Sequence, residues 1–195
     1  MARERDETKR TAILETSKKL FAEKGYHGTS ISDIIKELDI PAGTIYTYFK
    51  SKDHILIAAI EEGWEDFMNR LEDACANVTD PEKKLEIIVT IFLPELFNDT
   101  ELITLILTDG IRFINLADKL NRLSYFIANI LADIAQKHGS RAVLAPKDTM
   151  AALTIFFLGT IDTVRLIQKD IVPLKESDVI NFIKLMIQSG FNITL

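Results

Sequence analysis

The sequence predicts an all-α protein, with a short-helix N-terminal domain followed by a larger part built of long helices. Three observations predict it. Only five prolines and eight glycines punctuate 195 residues, which favours long helices over many turns. Apolar residues recur at helical spacing, as in Ile31, Ile34, Ile35 and Leu38, which fall at i, i+3, i+4 and i+7. Hydrophobic residues make up 47% of the chain and charged ones 27%, enough apolar material for a sizeable core.

The elements follow in order. From Asp6 to Lys24 the pattern is helical, with Ile13, Leu14, Leu20 and Phe21 on one face; Gly25 is a natural left-handed stop. Ser30 followed by Asp33 has the spacing of a capping box. The short amphipathic helix after it ends at Asp39, a residue type that tolerates the left-handed conformation. Ile40 is placed to plug the gap between two helices. Pro41 suits the start of the next helix, where its missing N–H is not needed. Ile45 and Phe49 face the core. Ser51 caps a long helix over 52–76 that runs through Ile55, Ile60, Trp64 and Phe67.

Beyond it, 81–97 is helical with a kink or break at Pro94. The stretch 100–117 is apolar nearly all round and predicts a buried helix. Residues 118–139 and 146–170 form two more helices, and 176–193 closes the chain. Val179, Ile180, Phe182, Ile183, Leu185, Met186, Ile187 and Phe191 cover more than one face of that last helix. A surface helix needs one apolar stripe, so the extra face predicts burial against a second copy. The expected contact is a homodimer through the last two helices, 147–169 and 177–193.

Residues 1–52 thus read as a helix-turn-helix domain and 53–195 as a second helical domain. Residues 1–52 carry ten basic and eight acidic side chains, while the rest carries 13 and 21, an asymmetry that hints at a polyanion partner for the N-terminal part. The helix after Pro41 turns hydroxyls outward from Thr44, Tyr46, Thr47 and Tyr48. Gly43 permits close backbone approach, and Lys52 can grip a phosphate at the start of the next helix. Helix-turn-helix shapes also occur in structural roles, so a helical binding or scaffold protein without specific DNA recognition is the alternative.

Residues 11 to 56 resemble the N-terminal domain of tetracycline-repressor-type (TetR-family) regulators. The likeness rests on Phe21, Gly25-Tyr26, Thr29-Ser30, Asp33-Ile34, Gly43-Thr44-Ile45-Tyr46, Tyr48-Phe49 and Ser51-Lys52-Asp53. It implies a support helix over 30–38 and a recognition helix over 41–49. By that resemblance Ser30 caps and touches a phosphate. Ser32, Ala42, Gly43, Thr44 and Tyr46 approach bases, and Thr47, Tyr48 and Lys52 hold the DNA backbone. The sequence departs from the family at Ile35 and Leu38-Asp39, where Ala and Ala-Gly are usual, which predicts a slightly wider turn. Pro41 stands where a capping Ser is common.

The resemblance further implies a dimeric transcriptional regulator of repressor type on palindromic operator DNA. A hydrophobic small molecule in the second domain would release it. Residues 47–73 and 156–167 are similar to segments of the family's fatty-acid-degradation regulators, which respond to long-chain acyl-coenzyme A; a multidrug-type effector stays open beside it. Arg112, Arg122, Phe113, Asp162 and Arg165 are the candidate ligand-binding residues. Filling the pocket would swing the 52–76 helix and alter the spacing of the recognition helices, which must match major grooves roughly 34–36 Å apart.

Other functions find no support. The charged start "MARERDETKR" is no secretory signal, and the longest apolar run, "LTIFFLGTI", is short of the roughly 18–20 residues that span a bilayer. A cytoplasmic protein without a membrane partner is expected. The single cysteine, Cys75, precludes an intramolecular disulfide. His27, His54 and His138 have no metal-ligand spacing, and no phosphate loop or nucleophile elbow is present. No enzyme, no metal and no cofactor are expected.

Overall fold

A computed structural model describes residues 2–98, 105, 110–139 and 146–191. Every regular element among the described residues is helical. The chain forms two compact units. The first holds Met1–Phe67 and Asp99–Leu116, and the second Met68–Asn98 and Ala117–Leu195. The division between the units falls inside a helix, between 67 and 68.

In the first unit, α1 spans Ala2–Gly28 and buries Ile13, Leu14, Leu20 and Phe21 as expected. Ser17 is buried on the same face, where its hydroxyl donates to the Ile13 carbonyl at 2.6 Å. Gly25 does not act as the left-handed helical stop that the sequence suggests. It sits at φ 75° and ψ 159°, a region essentially closed to side-chain-bearing residues. The kink carries Tyr26 into the core, where it is 7% exposed.

Helix α2, Ile31–Leu38, follows from a complete capping box between Ser30 and Asp33. Asp39 closes it in the left-handed conformation, φ 49° and ψ 49°, with its N–H donated to the Ile35 carbonyl. Ile40, half-buried, donates to the same carbonyl at 3.3 Å. Helix α3, Ala42–Tyr48, starts directly after Pro41. Helix α4, Lys52–Ala76, has the bounds expected of it.

The second unit contains α5 (Pro81–Ile87), a π-helical turn (Ile88–Phe92), α6 (Leu93–Asn98), most of α7 (Leu116–Lys137), α8 (Pro146–Gln168) and α9 (Glu176–Phe191). Its core gathers Leu85, Val89, Ile130, Ile134, Val164 and Ile183. The break expected at Pro94 appears one turn earlier. Pro94 has no N–H for the Thr90 carbonyl and its ring would clash there. The chain relieves this by widening over 88–92, so that Leu93 N–H reaches back five residues to Ile88.

The buried helix expected over 100–117 lies mostly outside the described residues. Within it, Leu105 is helical and fully buried. Gly110–Arg112 then tighten into a 3₁₀ turn, so no single helix reaches Ala117. A Cβ at Gly110 would lie 2.5 Å from Ile60 Cδ1 and 2.7 Å from the Leu105 carbonyl oxygen. The turn is therefore pressed onto α4 where only glycine fits.

Residues 147–168 of α8 are long and apolar enough, by length and composition, to cross a membrane. This corrects the count made from uninterrupted apolar runs, because the charged residues of α8 are few and set near its ends. Thr149, Thr160 and Val164 bury one side of α8, while Ile155 is 75% exposed.

Candidate nucleic-acid interface

The recognition surface begins with the burial of two side chains. Ile45 is 0% and Phe49 1% exposed, which fixes the rotation of α3 about its axis. Ile34, also fully buried, fixes α2 in the same way. Because successive residues advance about 100° around a helix, burying Ile45 turns Gly43, Tyr46 and Thr47 outward, and Ala42 stands at the open first turn. All four are exposed, and Thr44 and Tyr48 are half-buried at the edges. Tyr46 is the most prominent, at 57% exposure.

Two features of this face of α3 stand out. A Cβ at Gly43 would meet nothing within 4 Å. No contact within the chain requires glycine there. Tyr46 exposes a large amphipathic ring on a helix too short to stand by itself, with no core beneath it to explain the choice. Thr47 donates its hydroxyl to the Gly43 carbonyl at 3.0 Å, so toward a ligand it offers lone pairs.

On α2, Ser32 is exposed. Ser30 is exposed too, but its hydroxyl is engaged in the cap. It donates to Asp33 Oδ2 at 2.6 Å and accepts from the Asp33 N–H at 3.2 Å. The Ser30 hydroxyl and backbone N–H together hold the Asp33 carboxyl below the usual carboxylate range. Ser30 is thus chiefly a cap.

Lys52 also has partners within the chain. Its ammonium donates to the carbonyls of Tyr26 at 2.7 Å and Thr29 at 2.8 Å, and it lies 4.0 Å from the Tyr26 ring centroid. Two of its three donors tie the start of α4 to the end of α1, which leaves one for a phosphate. We expect Lys52→Ala to destabilise the fold by about 1.5–3 kcal/mol, the range for hydrogen bonds to charged groups, read as a lower melting temperature. A role confined to phosphate contact would leave the melting temperature alone and lower the salt slope of DNA binding by about one.

Sequence reasoning missed the braces behind this surface. The Tyr26 hydroxyl donates to Asp53, and the Tyr26 ring meets Phe21 and Phe113 at centroid distances of 5.7 Å and 5.5 Å. Arg10 forms a two-pronged ion pair with Glu62 and lies 5.4 Å from the centroid of the Phe49 ring. These partners stand far apart in sequence, and no local periodicity announces them.

The candidate ligand-binding residues are distributed over both units. Arg112 and Phe113 belong to the first unit, and Arg122, Asp162 and Arg165 to the second. Arg122 spends its fork on Glu72, at 3.1 Å from both Nε and Nη2. Arg112 and Asp162 are exposed, and Phe113 packs on Tyr26. The side chain of Arg165 lies outside the described residues. A cavity of about 260 Å³ in the second unit is lined by Asn121, Ser124, Tyr125, Ala128, Lys147 and Met150. Among the described residues no group of three His, Cys, Asp or Glu side chains could hold a metal ion.

Comparison with known proteins adds to this geometry. Residues 13–59 match the family described as bacterial regulatory proteins, tetR family. The fatty acid metabolism regulator protein of Bacillus subtilis (strain 168) is 33% identical over 78 residues, 40% of this chain and 40% of that protein. The match thus spans about two fifths of that relative's length. The HTH-type transcriptional regulator UidR of Escherichia coli (strain K12) is 29% identical over 132 residues, 66% of this chain and 67% of that protein.

Among solved structures, the fatty acid degradation regulator FadR from Bacillus halodurans superposes with a TM-score of 0.72 at 24% identity, over 91% of this chain and 93% of that one. The transcriptional regulator FadR from Bacillus subtilis in complex with stearoyl-CoA superposes with a TM-score of 0.68 at 26% identity, covering 92% and 98%.

Proposed function

Because the chain belongs, through residues 13–59, to the tetR family of bacterial regulatory proteins, we propose that it is a cytoplasmic, ligand-responsive repressor that binds palindromic operator DNA as a homodimer. Residues 1–52 read the DNA, and 53–195 hold the effector and the partner subunit. The observation that carries the reading is the exposed face of α3, where Ala42, Gly43, Tyr46 and Thr47 stand over a buried Ile45. Ser32, Ala42, Gly43, Thr44 and Tyr46 approach base edges. Tyr48, Thr47 and the remaining Lys52 donor meet the phosphates, with Ser30 beside them at the start of α2.

The dimer reading rests on apolar side chains that the single chain leaves uncovered. Phe182, Leu185 and Met186 on α9 are 58%, 58% and 55% exposed, and Ile155 and Leu158 on α8 are 75% and 38% exposed. Stripes of this kind mark interfaces, and the length and apolarity of α8 fit a helix that lies between two copies.

The effector reading rests on likeness to the regulators above, one of them solved with stearoyl-CoA. It is a hydrophobic small molecule, with long-chain acyl-coenzyme A as the leading class.

Selection of bound duplexes from a random DNA pool, at two salt concentrations, tests the proposal. The expected product is a palindrome whose half-sites are separated by one helical turn or a multiple of it. Sequence-blind binding at low salt only, with and without stearoyl-CoA, would favour the scaffold alternative.

A further inference from the structure

We infer that the cavity between α7 and the first turn of α8 is a binding site for a small organic carboxylate, separate from the site of the hydrophobic effector. Lys147 supplies its positive charge and Ser124 its buried hydrogen-bond donor. The inference does not depend on the acyl-effector reading.

Asn121, Ser124, Tyr125 and Ala128 fall at i, i+3, i+4 and i+7, so they form one stripe of α7. Lys147 and Met150 face them from the start of α8. With about 100° between successive residues, Asn121, Tyr125 and Ala128 lie on the side of α7 away from Ile130 and Ile134. Those two pack into the core of the second unit, so the cavity stands outside that core. Ser124 lies at the edge of the stripe, and it is 6% exposed.

The polar groups around the cavity are uncommitted. Among the described residues, the side chains of Asn121, Ser124, Tyr125 and Lys147 form no hydrogen bond or ion pair with one another or with a neighbour. Ser124 is the telling one, because a buried hydroxyl within a helix ordinarily returns its proton to the carbonyl four residues back. Ser17 does so to Ile13, and Thr160 to Phe156. Ser124 lines the cavity instead. The nearby Arg122, by contrast, is spent on Glu72.

Size and charge set the class of ligand. A cavity of about 150 Å³ holds a benzene molecule. One of about 260 Å³ therefore takes a ring or short chain bearing a carboxylate, and not a long acyl chain. No acidic side chain is among the lining residues described, so nothing there opposes an anion beside the Lys147 ammonium. A carboxylate only accepts hydrogen bonds, and Ser124, Asn121 and Tyr125 can all donate them. Ala128 and Met150 are left to cover the hydrocarbon, which gives the usual composition of a small-molecule site.

The full-length protein is titrated with benzoate, with its neutral isostere benzamide, with inorganic phosphate and with stearoyl-CoA, and the methionine methyl ¹H–¹³C signals are followed. The chain has four methionines. Met150 lines the cavity, and Met68 is fully buried, so one signal reports the site and another serves as control. Benzoate is expected to shift the Met150 signal and leave that of Met68 in place. Benzamide and phosphate are expected to bind roughly tenfold more weakly or worse. Ser124→Ala should weaken benzoate binding roughly tenfold, as for one hydrogen bond to a charged group. Lys147→Gln should weaken it roughly two- to fivefold, as for an exposed ion pair. Neither variant should melt lower, since neither side chain has a described partner to lose. Stearoyl-CoA is expected not to displace benzoate.

An unmoved Met150 signal overturns the inference and leaves the regulator reading, tested by operator selection, intact. Benzamide binding as tightly as benzoate, or benzoate affinity unchanged in both variants, overturns it as well. Phosphate competing on equal terms reduces the site to a patch for any anion, and the carboxylate assignment falls. Displacement of benzoate by stearoyl-CoA would make the cavity part of the effector site and overturn the separation of the two.

Discussion

Replacing Tyr46 with Ala is expected to lower affinity for the selected operator by roughly 5- to 150-fold, the equivalent of about 1–3 kcal/mol for a base-reading side chain. The melting temperature should not fall. Both halves of the expectation come from the same geometry. Tyr46 is 57% exposed, so truncation opens no cavity, and the rotation of α3 is held by the buried Ile45 and Phe49. What the substitution removes is an exposed phenol ring and hydroxyl that, in the proposed function, meet a base edge. Affinity for unrelated duplexes should change little, because non-specific binding is carried by phosphate contacts. Gel-shift titrations on operator and scrambled duplexes, paired with thermal denaturation, separate the outcomes. An equal loss on both duplexes would make Tyr46 a backbone contact. A lower melting temperature with undiminished DNA affinity would return Tyr46 to a structural role and weaken the assignment of α3.

How much of this was legible in the sequence depends on how local each determinant is. The capping box of Ser30 and Asp33 and the bounds of α4 are written in residues a few positions apart, and they appear in the structure as read. The face of α3 was legible for the same reason: Ile45 and Phe49 are one turn apart, and placing them inward places everything else. Lys52 was read from its position at a helix start, where a phosphate contact is a reasonable expectation. Its actual partners are carbonyls 23 and 26 residues back, visible only once α1 has kinked at Gly25. Arg122 shows the same limit, because its carboxylate partner lies 50 residues away. The π turn was half legible. Pro94 announces a defect, but the ladder can absorb a missing N–H upstream or downstream, and neighbouring packing decides.

The second large effect expected is at the apolar face of α9. Phe182→Glu should convert the dimer to a monomer and reduce operator binding to its sequence-independent level, a loss of roughly 10³-fold or more. Phe182, Leu185 and Met186 lie at i, i+3 and i+4, and each is more than half exposed in the single chain. The adjoining side of α9 is anchored by Ile183, 2% exposed within the core of the second unit. A charge at position 182 therefore faces solvent in the monomer and need not disturb its fold. In a two-fold interface the same substitution enters twice, placing two like charges in an apolar seam. An uncompensated buried charge costs about 3–5 kcal/mol, which moves a dimer constant by roughly two to three and a half powers of ten at each copy. DNA binding should fall with dimerisation, because a palindrome is read at full affinity only when two recognition helices are held at the spacing of its half-sites. Sedimentation across a concentration series gives the oligomeric state, and circular dichroism checks that the helices remain. A Phe182→Glu protein that stays dimeric and binds operator as before would place the partner contact elsewhere and leave the stripe on α9 needing another explanation. A monomer with native helix content that still binds single half-sites weakly would locate both functions, reading in α3 and pairing in α8 and α9, on separate parts of one chain.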